Sequence, residues 1–294
     1  MELRHLRYFL AVAKQGSIRQ AAAQLCITQP AVSKQIKELE GELRLSLFER
    51  TAGGMVLTAA GRYYQQQCTA ILAELDSVNS HLQQLANGVV GSLALGFVDV
   101  TAWQGAVPEA LQRFSQHHPD VALTLQSNNT PELLGKLQER QLDGAFVYCF
   151  AALPETLASV TLSQDELLLA YPTSWPQPPK PGMTITQLNT LPFISFPRNA
   201  YPAYHDWLLQ AYTQLGLNPT LRQLAQTENA MLSLVSAGVG VAIVNARHKA
   251  RPTPGVGYTS LDALKLTLPL SFVYPRGAAN PALPLFISEL KSDN

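Results

Sequence analysis

From Thr58 to about Asn87 the chain runs without a proline and with a single early glycine, Gly61. Within it Tyr64, Cys68, Ile71, Leu75, Val78, Leu82 and Leu85 recur at spacings of 4, 3, 4, 3, 4 and 3. That is a heptad seam of about three repeats. A helix of such length spans ~45 Å, longer than a typical globular helix. So narrow an apolar stripe is covered most simply by a second copy of the chain; the alternative is a long helix lying on its own domain. The helix expected over 59–88 divides the 294 residues into a head, 1–58, and a body, 91–294. Gly88 and Gly91 bracket Val89-Val90 and mark a hinge into the body.

The formal net charge of zero conceals an asymmetry between these parts. Residues 1–64 hold nine Lys and Arg against five Asp and Glu, a surplus of +4, and the remainder holds twelve against sixteen, or −4. A basic head on an acidic body suits an anionic partner for the head. Cys26, Cys68 and Cys149 are odd in number, far apart and outside any metal-ligand spacing, as in a reduced cytosolic protein. The apolar run Tyr8–Ala13 is too short for a signal peptide and is followed by Lys14-Gln15 rather than small residues. No apolar run approaches a membrane span of ~18 residues. The expected location is the cytoplasm, with no membrane contact.

In the head, Leu3, Leu6, Leu10 and Ala13 form a helical stripe over 3–14 that Gly16-Ser17 ends. Ser17 caps a short Ala-rich helix over 18–25. Thr28 then caps a helix over 29–43, with Pro30 in its first turn. Val32, Ile36, Leu39 and Leu43 make its buried stripe, while Gln29, Ser33 and Lys37 recur on the opposite face with Lys34 beside them. An amide, a hydroxyl and two ammonium groups near a helix N-terminus suit base edges and phosphates in a major groove. An ordinary solvated face reads the same way in isolation. Here a helix–turn–helix precedes it and a hairpin signal, Gly53-Gly54 between two short apolar stretches, follows it. Arg50 at the hairpin base is placed to meet phosphates.

The ordered set Leu6-Arg7-Tyr8-Phe9, Gly16-Ser17, Ala21-Ala22, Gln29-Pro30-Ala31-Val32-Ser33, Leu47-Phe48-Glu49-Arg50 and Leu57-Thr58-Ala60-Gly61 resembles the head of the LysR-type transcriptional regulators. That resemblance implies a winged helix-turn-helix in which Ser17, Thr28, Gln29, Pro30, Ser33, Lys34, Lys37 and Arg50 line double-stranded DNA. It also implies an antiparallel helix pair across the seam, a homodimer and beyond it a homotetramer, and RNA polymerase as a further partner. Most family members carry Arg at position 34; Lys keeps the phosphate contact as a point charge.

Strands alternate with helices through the body: strand 92–98, helix 105–117, strand 121–126, helix 131–141 and strand 143–148. A similar set follows, with strands 166–171, 192–196, 221–225 and 239–244 and helices 201–215 and 228–237, before a final strand 266–274 and helix 281–291. Alternation of this kind gives a parallel α/β sheet with a ligand crevice at the strand carboxyl ends. Gly96-Phe97-Val98, Pro119-Asp120-Val121, Leu142-Asp143, Pro192-Phe193-Ile194 and Gly238-Val239-Gly240 resemble the two-lobed LysR effector domain, similar to a periplasmic binding protein. The implied lobes are about 91–163 with 268–294, and about 164–267. The opening Arg4–Phe9 and Gly96-Phe97-Val98 resemble the branch containing regulators of aromatic-acid breakdown.

The strand-end rule places Asp99, Val100, Thr101, Asn129, Thr130 and Tyr148 on one side of the crevice and Pro197, Arg198, Glu228 and Asn229 on the other. Helix N-termini and Arg198 suit an anionic effector, and a small organic acid is the expected ligand. The chain departs from the branch at Tyr148, where an arginine is usual, and at Asp99, where a small residue is usual. Helix capping by Asp99, Thr101 and Thr130, and a surface ion pair for Arg198, are the alternative roles.

An enzyme is not expected. Gly238-Val239-Gly240 lacks the third glycine of a dinucleotide fingerprint and sits between helix and strand. No catalytic, metal or cofactor motif accompanies the six scattered histidines. Cys149, near the crevice, leaves a redox switch as a rival.

Overall fold

The computed structural model describes residues 2–51, 54–86, 91–260 and 265–290. It separates into one unit of residues 1–86 with 139–141 and a second unit holding the rest.

The head builds from its caps inward. Helix α1 (Leu3–Gln15) ends at Gly16 in the left-handed region, φ 60°. Helix α2 (Ile18–Gln24) starts where the Gln20 N–H donates to Ser17 Oγ at 3.4 Å. Helix α3 (Gln29–Leu43) buries Val32, Ile36 and Leu39 against Leu6, Phe9 and Val12 of α1. The wing pairs β1 (Phe48–Thr51) with β2 (Gly54–Leu57), Phe48 opposite Leu57. Glu40 on α3 ties the wing down: its Oε1 accepts the N–H groups of Leu47 (2.7 Å) and Phe48 (3.1 Å). Gly54 has φ 125°, and a Cβ there would strike the Gly16 carbonyl, whose oxygen already accepts the Met55 N–H at 2.8 Å. Gly53 of the hairpin signal lies outside the described residues.

Helix α4 (Ala59–Ala86) is capped by Thr58, whose Oγ1 accepts the Gly61 N–H at 2.9 Å. The heptad seam does not act as one stripe. Tyr64 packs edge-on to Phe9 with ring centroids 5.1 Å apart, and Cys68 is 1% exposed in the head's own core. These two positions anchor the helix to its own head because the aromatic core of α1 presses on its first turns. Beyond them Ile71 is 52% and Val78 46% exposed, so the seam left for a partner begins at Ile71. The side chains of Leu82 and Leu85, and Gly88 of the hinge, lie outside what is described.

In the second unit, β3 (Gly91–Phe97), a 3-10 turn (Asp99–Ala102), α5 (Ala106–His117), β4 (Val121–Ser127), α6 (Thr130–Gln138) and β5 (Gly144–Tyr148) make the first set. Strand β6 (Leu157–Pro172) leads to α7 (Ile185–Leu188), β7 (Pro192–Ser195), α8 (Pro202–Leu215), β8 (Thr220–Leu224), α9 (Glu228–Ser236) and β9 (Val241–Asn245). A second 3-10 turn (Ala246–Ala250), β10 (Val256–Thr259), β11 (Thr267–Pro275) and α10 (Ala282–Leu290) complete the described elements. The sheet order is β4-β3-β5-β11-β6-β9-β7-β8, with β10 also on β6. Pairing is parallel within β4-β3-β5 and within β9-β7-β8, and antiparallel where β11 and β6 join the two sets.

Strand β6 pairs with β11 through Glu166 and with β9 from Leu167, so one continuous strand serves both sets. Sequence analysis found only 166–171 there; the first half, with its period-2 alternation of buried and solvated positions, is a strand signal it did not use. Strand β10 and α7 were likewise not foreseen; each is four residues long, too short to show a period. Strands β5 and β9 are buried at every position, as central parallel strands must be. No helix among the described residues is long and apolar enough to cross a membrane.

Candidate nucleic-acid interface and effector cavity

On α3 the outward face is assembled as the spacing requires. Thr28, Gln29, Pro30, Lys34 and Lys37 are exposed and Ser33 half-buried. Pro30, Ser33, Lys34 and Lys37 share one shallow surface with Glu38. Thr28 occupies the N-cap position, but its hydroxyl makes no capping bond. Lys34 reaches Glu38 at 3.7 Å with both side chains well exposed, a pair too weakly held to withdraw the ammonium from a phosphate. Ser17 stands half-buried at the head of α2. The Arg50 side chain lies outside the described residues.

The second unit contains a cavity of about 590 Å³. All six parallel strands deliver their carboxyl ends to it: Asp99 follows β3, Ser127 and Asn128 end β4, Tyr148 ends β5, Phe196 follows β7, Gln226 follows β8 and Asn245 ends β9. Of the ten residues expected there, Asp99, Val100, Asn129, Thr130, Tyr148, Glu228 and Asn229 line it. Three do not. Thr101 is fully buried and its hydroxyl donates to the Val98 carbonyl at 2.8 Å, closing the 3-10 turn. Pro197 is half-buried off the lining. Arg198 points to solvent and grips Asp206 through Nε (2.8 Å) and Nη2 (2.7 Å). Those bonds, with help from His205, hold the Asp206 carboxyl down at about 2. Asp206, in the second turn of the following helix, captures it, so Arg198 forms a surface ion pair.

Capping near the cavity is carried by Asn129 and Thr227. Asn129 Oδ1 accepts the Glu132 N–H at 2.9 Å, and Thr227 Oγ1 accepts the Ala230 N–H at 3.2 Å. Thr130 is buried behind them.

The cavity floor is a buried polar cluster that sequence analysis missed. Arg247, 7% exposed, donates from Nε to Asp165 Oδ2 at 2.5 Å and from Nη2 to Oδ1 at 2.9 Å. Its Nη1 donates to the Gln104 carbonyl. The Tyr148 hydroxyl donates to Asp165 Oδ2 at 2.5 Å and accepts from Asn245 Nδ2 at 2.7 Å. Burial alone would raise the Asp165 carboxyl, but hydrogen bonds from Arg247, Tyr148 and Ser163 outweigh it and hold it below its ordinary value. Beside the floor, His248 Nε2 lies 2.6 Å from Glu228 Oε2, and Glu228 Oε1 accepts the Asn245 N–H at 3.1 Å. Asn245 ends β9 and Arg247 and His248 lie just beyond it, so the strand-end rule applied to the 239–244 strand would have found them.

Aromatic rings wall the cavity: Trp103, Phe150, Phe196, Tyr201 and Tyr204. Phe150 stacks in a cluster with Tyr201, Tyr204 and Trp207 at centroid distances of 5.8, 5.0 and 4.7 Å. The Tyr201 hydroxyl donates to the Tyr148 carbonyl at 2.7 Å, fastening this wall to β5. Burial pushes the neighbouring Cys149 thiol up to about 11, which leaves little thiolate for redox chemistry at neutral pH.

A helix-turn-helix with an exposed amide and two ammonium groups in one unit, and a ligand-sized cavity at the strand ends of another, are the parts of a ligand-binding transcriptional regulator. Residues 3–62 match the model of bacterial regulatory helix-turn-helix proteins of the lysR family, and residues 86–294 match the LysR substrate binding domain. The chain belongs to the LysR family. It is 34% identical over 249 residues to YnfL of Escherichia coli (strain K12), an uncharacterized HTH-type transcriptional regulator, covering 85% of this chain and 84% of that one. The HTH-type transcriptional regulator AlsR of Bacillus subtilis (strain 168) is 30% identical, with 98% and 94% of the chains covered. Full-length CbnR in complex with its target DNA superposes with a TM-score of 0.69 at 25% identity, covering 99% of each chain.

The floor cluster yields a stability prediction. Asp165→Asn leaves the Arg247 charge buried without its partner and should cost about 3–5 kcal/mol in denaturant unfolding of the full chain. Asp165→Asn with Arg247→Met should recover most of that loss. Because the folded carboxyl lies below its ordinary value, its stabilisation is present above about pH 4 and lost as pH falls further. A single variant as stable as wild type would remove the cluster from this role.

Proposed function

We propose that this regulator holds operator DNA through the Thr28–Lys37 face, pairs with a second copy along α4, and changes its DNA occupancy when a small molecule enters the 590 Å³ cavity. The observation that carries the reading is the convergence of six parallel-strand carboxyl ends on one cavity within a family of DNA-binding regulators. The two sets of parallel strands correspond to lobes of about 91–163 with 268–294 and about 164–267, joined through β6 and β11. An organic acid was the expected effector, resting on helix N-termini at the crevice and on Arg198; that guanidinium is held by Asp206 outside the lining.

On DNA, Gln29→Ala should relax base preference by ~1–3 kcal/mol, whereas Lys37→Ala should weaken specific and random sequences alike and lower the salt slope by about 1. Competition binding at several salt concentrations separates the two. Identical effects of both changes on both kinds of DNA would contradict the assignment.

For the oligomer, Ile71→Glu places a charge on the exposed part of the seam, where a partner helix would bury it. Light scattering should report a smaller particle for a folded variant. An unchanged mass would move the interface elsewhere.

For the effector, a thermal-shift screen of the full chain against metabolites should find compounds that stabilise it by mass action, about 2.7 kcal/mol at one hundred times Kd. Ala200→Trp, which fills the cavity from its lining, should abolish that stabilisation, and Arg198→Ala should not alter it. Stabilisation that survives Ala200→Trp would place the effector outside this cavity.

A further inference from the structure

We propose that the cavity selects a ligand carrying a protonated amine on a compact aromatic or aliphatic body. This rests on the reading of the cavity as the effector site and names its ligand class.

Three carboxylates and no lysine or arginine stand on the lining: Asp99, Glu132 and Glu228. Two of the three are occupied from within the protein. Glu132 accepts from Asn129 at Oε1 (3.0 Å) and from Asn128 at Oε2 (2.6 Å). Glu228 accepts from the Asn245 backbone at Oε1 and faces His248 at Oε2. Asp99 differs: Ser127 donates to its Oδ1, and among the described residues its Oδ2 has no hydrogen-bond partner. Asp99 therefore stands on the lining with one carboxylate oxygen that no described protein donor occupies.

The cations nearby are not offered to a ligand. Arg247 is neutralised beneath the floor by Asp165, and the Tyr148 hydroxyl that separates it from the cavity also donates to Asp165. Arg251 lies over the Trp103 ring at 5.5 Å, outside the lining. The N-termini of α6 and α9, the usual seats for an anion, carry their own acceptors: the caps Asn129 and Thr227, with Glu132 and Glu228 in the first turns. Lys136, off the lining, is held by Gln126 (2.5 Å) and Asn128 (3.2 Å), and His248 on the lining is held by Glu228. An entering carboxylate would thus meet like charge on several sides with no unengaged cation on the lining. An ammonium meets the free Asp99 oxygen and the electron-rich ring faces of the aromatic wall.

The test uses the full chain and compounds of matched body: phenethylamine, phenethyl alcohol and phenylacetate, then cyclohexylmethylamine, cyclohexylmethanol and cyclohexanecarboxylate. Dissociation constants by calorimetry should rise in the order amine, alcohol, acid, with the amine at least about tenfold tighter than its acid, or ~1.4 kcal/mol. Asp99→Asn and Asp99→Ser, each checked for its fold by circular dichroism, should weaken the amine at least tenfold and close its gap to the alcohol. An acid that binds as tightly as its amine, with binding lost in Ala200→Trp, overturns the amine assignment and leaves the effector cavity standing. Binding of every compound untouched by Ala200→Trp, or no binding by any compound here or in the metabolite screen, overturns both.

Discussion

The second unit depends on one buried ion pair. Arg247 and Asp165 meet in a two-pronged geometry at 9% and 8% side-chain exposure, where neither charge is solvated and each is tolerable only because of the other. Asp165 stands on β6, the strand shared by both sets, next to the point where its partner changes from β11 to β9. Arg247 follows β9, and its Nη1 donates to the Gln104 carbonyl beyond the first 3-10 turn. The pair therefore fastens the end of one parallel set to the beginning of the other. Tyr148 and Asn245, which roof it, are the floor on which a ligand would rest.

This arrangement explains why several polar residues of the lining are already committed to the protein itself. Tyr148, Asn245, Glu132 and Glu228 are hydrogen-bonded to neighbours, which fixes their positions and narrows what they can give a ligand. Rigidity of the lining favours recognition, because side chains already in place lose little freedom on binding. A ligand that bears on Tyr148 or Asn245 would also bear on the clamp beneath them. It can shift the arrangement of the lobes only by the difference in its affinity for each arrangement.

The head was legible in the sequence because its signals are local: the cap at Ser17, the buried stripe of α3, and the turn at Gly16. The seam of α4 was misjudged at Tyr64 and Cys68 because helical spacing reports that a face is buried and is silent about what covers it. In the body, the alternating elements and most cavity positions were legible, but the spatial order of the strands and the antiparallel joins at β6 and β11 were not. The choice of arginine did not. Arg198 follows a strand and is a cation, but an exposed carboxylate on the next helix captures it. Arg247 is the buried one, and its partner lies 82 residues away, a separation no spacing pattern reveals.

The central claim is that occupancy of this cavity governs DNA binding. Trp103 lines the cavity and touches His248, so its emission reports entry of a ligand. In a full-length variant with Trp175→Phe and Trp207→Phe, Trp103 is the sole tryptophan. Titrating that protein with phenethylamine, or with the effector a metabolite screen supplies, allows emission and operator affinity to be followed in the same samples. The account predicts that both change with a common midpoint. An operator response that saturates with no change in Trp103 emission would contradict it.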